Sequence, residues 1–171
     1  MTEALHVVVD GEHVRRSFGM LTGFILAPET TDGLLAEFAE LPVEERVCLL
    51  ASTRTMWHIF AKDAATLGAY GGSTETAVQV IRTETDTLYA KTLPSAVTMA
   101  NRLDDALALR GLTHIDAALV DDIGDQPAHA LGALGYFLRA TSIAIFACAV
   151  QRGCPVPELL AAVGHKLALA A

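Results

Sequence analysis

Between Asp125 and Arg152 the chain carries one formally charged side chain, Arg139, inside an apolar, helix-forming run that opens at Pro127 and stops before Gly153. Proline suits the first turn of a helix and glycine its end, so the run reads as one long helix from Pro127 to Arg152. A helix that is apolar on nearly every face must be covered all round, by other helices or by lipid. The run is long enough for lipid, since ~20 apolar residues span a bilayer. Arg139 near its middle decides against that: a central Arg costs ~2.5–3.5 kcal/mol on insertion scales, and no second apolar span shelters it. The expectation is therefore a core helix in an all-α domain, with no membrane association. A guanidinium cannot lose its charge in such a core, so Arg139 needs a carboxylate, a set of carbonyls or an anionic ligand.

A chain of 171 residues suits a single helical-bundle domain spanning residues 1–171. The composition is 52% hydrophobic but only 6% aromatic, so the apolar mass is mostly Ala, Leu and Val. Such a core packs helices closely and leaves apolar surface for association, which favours a homo-oligomer, with a homodimer the simplest case. A formal net charge of -8 argues against a nucleic-acid partner, because phosphate backbones are bound by clustered Lys and Arg. Cys48, Cys148 and Cys154 are odd in number and form no CxxC pair. The first residues, Met-Thr-Glu-Ala-Leu-His, lack the basic and apolar regions of a secretory signal, so a cytoplasmic location is expected.

Turn signals divide the rest. Leu5 to Val9 ends in three β-branched valines and precedes Asp10-Gly11, which leaves open a hairpin or an extended arm leading into a helix near Glu12. Val14, Phe18, Leu21 and Ile25 recur at helical spacing as far as Pro28, and Gly19 and Gly23 offer a flat face to a neighbouring helix. Thr31 or Asp32 caps a short helix closed by Pro42. A third helix runs from Pro42 to about Tyr70, a fourth from Ser73 or Thr74 to Thr92, and a fifth from Ser95 to Arg110 with Gly111 as its cap. Leu112 to Gln126 reads as a loop with a helical turn, and a last helix follows Pro157. The sum is a six- to seven-helix up-and-down bundle with a short extended N-terminal arm.

Charge meets core at a few places. In the third helix Leu50, Thr53, Trp57, Phe60, Ala64 and Leu67 mark a packed face, and Arg54, His58 and Lys62 form one cationic row beside it. A covered row of this kind is an anion site; an uncovered one is a solvated face. In the fourth helix Glu84 lies closest to the core line Ala77, Ile81, Thr85 and Leu88, which makes it the expected carboxylate partner of Arg139. His129 and Tyr136 share a face with Arg139 and would line the same pocket. Asn101, Asp104 and Asp105 look clustered in one dimension, but lie off the stripe Ala96, Met99, Leu103, Ala106 and Leu107, and are expected in solvent.

Asp121-Asp122-Ile123-Gly124-Asp125 reads as DDxxD and resembles the magnesium-diphosphate motif of prenyl transferases and terpene synthases. That resemblance implies Mg²⁺ held by Asp121, Asp122 and Asp125. The last two helices, joined by Gly-Cys-Pro-Val-Pro-Glu-Leu-Leu, are similar in rhythm to the end of all-helical nucleotide pyrophosphohydrolases. Glu37 and Glu40 supply that family's ExxE, but the head of the long helix, from Ala128 to Ala133, has none of its acids. No GxSxG or HExxH occurs.

These readings converge on a soluble helical-bundle protein acting by binding or oligomerisation, with a small anionic-ligand pocket lined by Arg139, Arg54 and His58. The alternative is a Mg²⁺-dependent all-α enzyme acting on a phosphorylated or diphosphate substrate.

Overall fold

The computed structural model describes residues 5–7, 9–108 and 114–170. The fold is all-α, in the order α1 (Gly11–Leu26), α2 (Thr31–Ala39), α3 (Val43–Thr66), α4 (Thr74–Tyr89), α5 (Pro94–Ala108), α6 (Ala117–Asp125), α7 (Pro127–Arg152) and α8 (Val156–Leu169). Eight α-helices stand among the described residues, where six or seven were expected.

The additional helix is α6, in the stretch read as a loop. Asp116 caps it by accepting the Leu119 N–H at 2.8 Å, and Leu119, Val120 and Ile123 turn into the core. Gly124 suggested a turn from sequence but sits inside the helix, where a Cβ would lie 3.4 Å from Val43 Cγ2. The third helix ends at Thr66, short of Tyr70, because Gly68 takes a left-handed φ of 105° and a 3₁₀ turn follows over Ala69–Gly72. The expected end of the fifth helix at Arg110 and its cap at Gly111 lie outside the described residues.

The N-terminal arm is extended and forms no hairpin at Asp10-Gly11. β1 (Leu5–His6) pairs antiparallel with β2 (His114–Ile115), far along the chain. Asp10 instead caps α1: its carboxylate accepts the His13 N–H at 2.9 Å, while its own N–H donates to His13 Nδ1.

α7 is the axis of the core. It packs most extensively on α3, next on α5, and also on α4 and α1. By length and composition alone it could cross a membrane; here 61% of its most apolar window lies inside the bundle. Ala133, Leu134, Phe137, Ala140, Ala144 and Ile145 are wholly covered, and Trp57 of α3 stacks on Phe137 with ring centroids 6.3 Å apart. Small residues set the spacing. A Cβ on Gly132 would fall 2.5 Å from Ala96 Cβ, so α5 and α7 touch there at backbone range. Of the paired glycines in α1, Gly23 faces Leu34 of α2 closely and Gly19 faces nothing within 4 Å.

Burial round α7 is not complete. Arg139, Phe146 and Val150 are exposed and lie along one strip of the helix. The charge that made the run unusual is on the uncovered side of the core helix.

Candidate functional site

Among the described residues the buried charge belongs to Asp104, which was expected in solvent. Its side chain is 4% exposed, and a carboxylate so placed needs partners on every oxygen. α3 supplies two, one turn apart: Arg54 Nε and His58 Nε2 each meet Asp104 Oδ1 at 2.8 Å. α4 supplies the third, Arg82, whose guanidinium donates to Asp104 Oδ2 at 3.0 Å and to the exposed Asp105 at 2.9 Å. Burial by itself would raise the Asp104 carboxyl, but the hydrogen bonds and charges of His58 and Arg54 outweigh it and hold the group below its ordinary 3.8. Burial likewise opposes the charge on Arg82, and the bond to Asp105 more than restores it.

A second polar knot adjoins the first. Tyr136 of α7 is 1% exposed, and its hydroxyl donates to Asp86 of α4 at 2.5 Å, while Asn101 of α5 donates to the same oxygen at 3.2 Å. Burial and then Asp86 push the Tyr136 phenol far above its usual range, so the hydroxyl keeps its proton to donate to Asp86. Four helices are thereby tied through side chains, α3 to α5 to α4 to α7. Both carboxylate oxygens of Asp104 are already occupied. Its chemistry is that of a structural lock.

Arg139 stands elsewhere. Its guanidinium lies over the Phe24 ring, 5.1 Å from the centroid, with the Tyr89 hydroxyl beside it. Among the described residues it forms no ion pair, and the expected bond to Glu84 is not made. Glu84 is exposed, because one helical position off a stripe only half-covered by neighbours points to solvent. Both residues line an open cleft of about 630 Å³ whose walls are Phe24, Ile25, Pro28, Ile143, Phe146 and Val156, with Thr31 and Ser142 as hydroxyls. The structure thus separates the residues expected in one pocket. Arg54 and His58 meet at Asp104, Tyr136 at Asp86, and Arg139 with Glu84 at the cleft, while Lys62 is exposed.

His129 is at the other end of α7, in a small cleft of about 320 Å³ with Ser95, Thr98, Met99, Arg102, Asp122 and Gln126. It shares a helical face with Arg139 but sits ten positions away, roughly 15 Å along the axis. Asp122 pairs with Arg102 at 2.5 Å, and Asp121 and Asp125 do not join it in a cage. Among the described residues no group of three or more His, Cys, Asp or Glu side chains is placed to hold a metal ion, Glu37 and Glu40 included. One further cleft of about 520 Å³ runs between α3, α7 and α8, with Ile59, Phe60, Leu159 and Val163 on its walls and Cys148 and Cys154 in its lining. Burial pushes the Cys148 thiol up to about 11, and its S–H donates to the Phe60 carbonyl at 3.1 Å.

No family model, curated protein or solved structure matches the chain. Function must therefore be argued from the site. The residues missed from sequence are Arg82, Asp86, Asn101 and Asp104. A signal for two of them existed: Arg82 and Asp86 each follow the buried Ile81 and Thr85 by one position, as Arg54 and His58 follow Thr53 and Trp57.

Proposed function

We propose that this chain is a binding protein whose cleft between α1, α4 and α7 takes a small molecule with an anionic group at Arg139 and an apolar body. One observation carries the reading: a guanidinium with no ion-pair partner among the described residues sits over an aromatic ring at the mouth of an apolar cleft. Among the described residues no carboxylate pairs with this guanidinium, and a bidentate anion suits its fork. The cleft volume of about 630 Å³ is in the range of small-molecule sites. The reading includes a cytoplasmic protein, as the half-buried Cys154 and the buried Cys148 thiols suit a reducing compartment.

The test is thermal unfolding with decanoate as probe, on the wild type and on Arg139→Gln. A ligand bound only by the folded state raises Tm with concentration. The proposal expects a rise in the wild type that Arg139→Gln abolishes; equal behaviour of the two proteins, or no rise in either, refutes it.

A second reading, association of copies into a homodimer, has its own support. Phe146 and Val150 are 63% and 60% exposed on α7; Leu26, at 48%, follows the cleft residue Ile25, and Leu88, at 58%, lies one turn beyond Glu84 on α4. Sedimentation of wild type against Phe146→Glu decides it: a dimer that the substitution dissociates supports the reading, and a monomeric wild type ends it.

A further inference from the structure

The mouth of the Arg139 cleft carries two opposite charges that do not meet. Arg139 projects from α7 and Glu84 from α4, both are exposed, and both line the same cleft without forming an ion pair. This bears directly on what the cleft can hold. A simple anion gains from Arg139 but faces repulsion from Glu84, and the whole chain carries a formal net charge of -8 that adds to it. A simple cation meets the reverse problem at Arg139. A head group carrying both signs satisfies both rims at once, with its apolar part against Phe24, Ile25, Ile143 and Phe146.

We infer that the natural ligand of this cleft is a zwitterionic amphiphile: a carboxylate or phosphate on Arg139, an ammonium on Glu84, and a hydrocarbon or aromatic body on the apolar walls. The inference rests on the Arg139 reading and narrows it. The hydroxyls of Thr31 and Ser142 stand in the same lining and offer neutral hydrogen bonds to such a head. Ser142 already donates to the Arg139 carbonyl at 2.8 Å, so its oxygen remains as an acceptor for an ammonium. The alternative occupant, a second copy, would set Glu84 of one protomer against Arg139 of the other.

The experiment compares three probes with one tail: decanoate, decylamine and 2-aminodecanoate. Affinities are measured by calorimetry or thermal shift at pH 7 on the wild type, Glu84→Gln and Arg139→Gln. The expected result is that 2-aminodecanoate binds the wild type about three- to fivefold tighter than decanoate, the worth of one partly exposed ion pair. Glu84→Gln should bring that ratio to about one while tightening decanoate, because the repulsion has gone. Equal binding of 2-aminodecanoate and decanoate in the wild type, or a ratio unchanged by Glu84→Gln, overturns the zwitterion and leaves the Arg139 reading standing. Failure of every probe overturns both. A Tm that rises with protein concentration and is indifferent to all three probes assigns the cleft to a second copy and overturns the inference.

Discussion

Replacing Asp104 by Asn tests whether the buried network stabilises the bundle or merely occupies it. The substitution keeps the shape and one acceptor oxygen, but removes the charge that Arg54, His58 and Arg82 share, leaving Arg82 only its bond to the exposed Asp105. Three hydrogen bonds to a charged group, at ~1.5–3 kcal/mol each, set an upper limit well above any single contact. The donors recover part of that, because Arg54, Arg82 and His58 keep 12%, 22% and 27% of their side chains exposed and can turn toward water. Breaking a buried pair from one side costs ~3–5 kcal/mol, and the partial exposure places this variant at the lower end, about 3 kcal/mol. For a chain of this size that lowers Tm by roughly 6–12 °C. The pH dependence follows from the sign of the shift. The folded-state pKa of Asp104 lies below its ordinary 3.8, so its contribution is complete above 3.8 and is lost as pH falls through the lower folded value. The gap between wild type and Asp104→Asn in urea unfolding should therefore be constant from pH 5 to 7 and narrow below pH 4. A gap under about 1 kcal/mol at pH 7, or one that widens in acid, would refute the reasoning.

Two glycines of α7 give opposite forecasts. Gly132→Ala puts a methyl 2.5 Å from Ala96 Cβ, so α5 and α7 must separate, and the ~1–3 kcal/mol of overpacking exceeds the ~1 kcal/mol gained in helix propensity. Gly135→Ala meets only the Tyr89 hydroxyl at 3.5 Å, and thermal melts should show it stabilised by up to ~1 kcal/mol. The thiols separate by chemistry: with Cys148 covered and raised to about 11, iodoacetamide at pH 8 should label the half-exposed Cys154 before Cys148, as read by peptide mass spectrometry. Labelling of Cys148 at an equal rate would contradict its placement.

The fold was more legible in the sequence than the site. α7 announced itself because Pro127, Gly153 and the unbroken apolar run are local signals, and its burial follows from having no polar face. α6 was hidden by Gly124, since a glycine reads as a turn until its close neighbour Val43 is known. The pairing of β1 with β2 joins segments more than a hundred residues apart, which no local pattern encodes. Helical phase correctly placed Arg54 and His58 beside the packed face of α3. It failed for Asp104, because a residue on the flank of one helix is exposed or buried according to what the next helix brings. Three donors from α3 and α4 cover it. It failed for Glu84 in reverse, as that flank of α4 is exposed. A stripe on one helix fixes where its own core lies; the fate of a flanking charge depends on the partner helix.

The buried network and the open cleft are connected by the helices they share. α4 carries Arg82 and Asp86 into the network and Glu84, two positions from each and so nearly opposite on the helix, to the mouth of the cleft. α7 carries Tyr136 to Asp86 and Arg139 to the cleft, and Tyr89 packs between them, 5.9 Å from the Tyr136 ring and beside the Arg139 guanidinium. Fixing α4 to α7 through Tyr136 and Asp86 therefore fixes the two helix positions that carry these charges. Long, flexible side chains gain little from an ion pair they must order themselves to make. A ligand of the proposed class that bridges the two charges would meet helices already fixed in place. Under the proposed reading, the bonds of Asp104 to Arg54, His58 and Arg82, and of Tyr136 to Asp86, hold the two helices that carry Glu84 and Arg139.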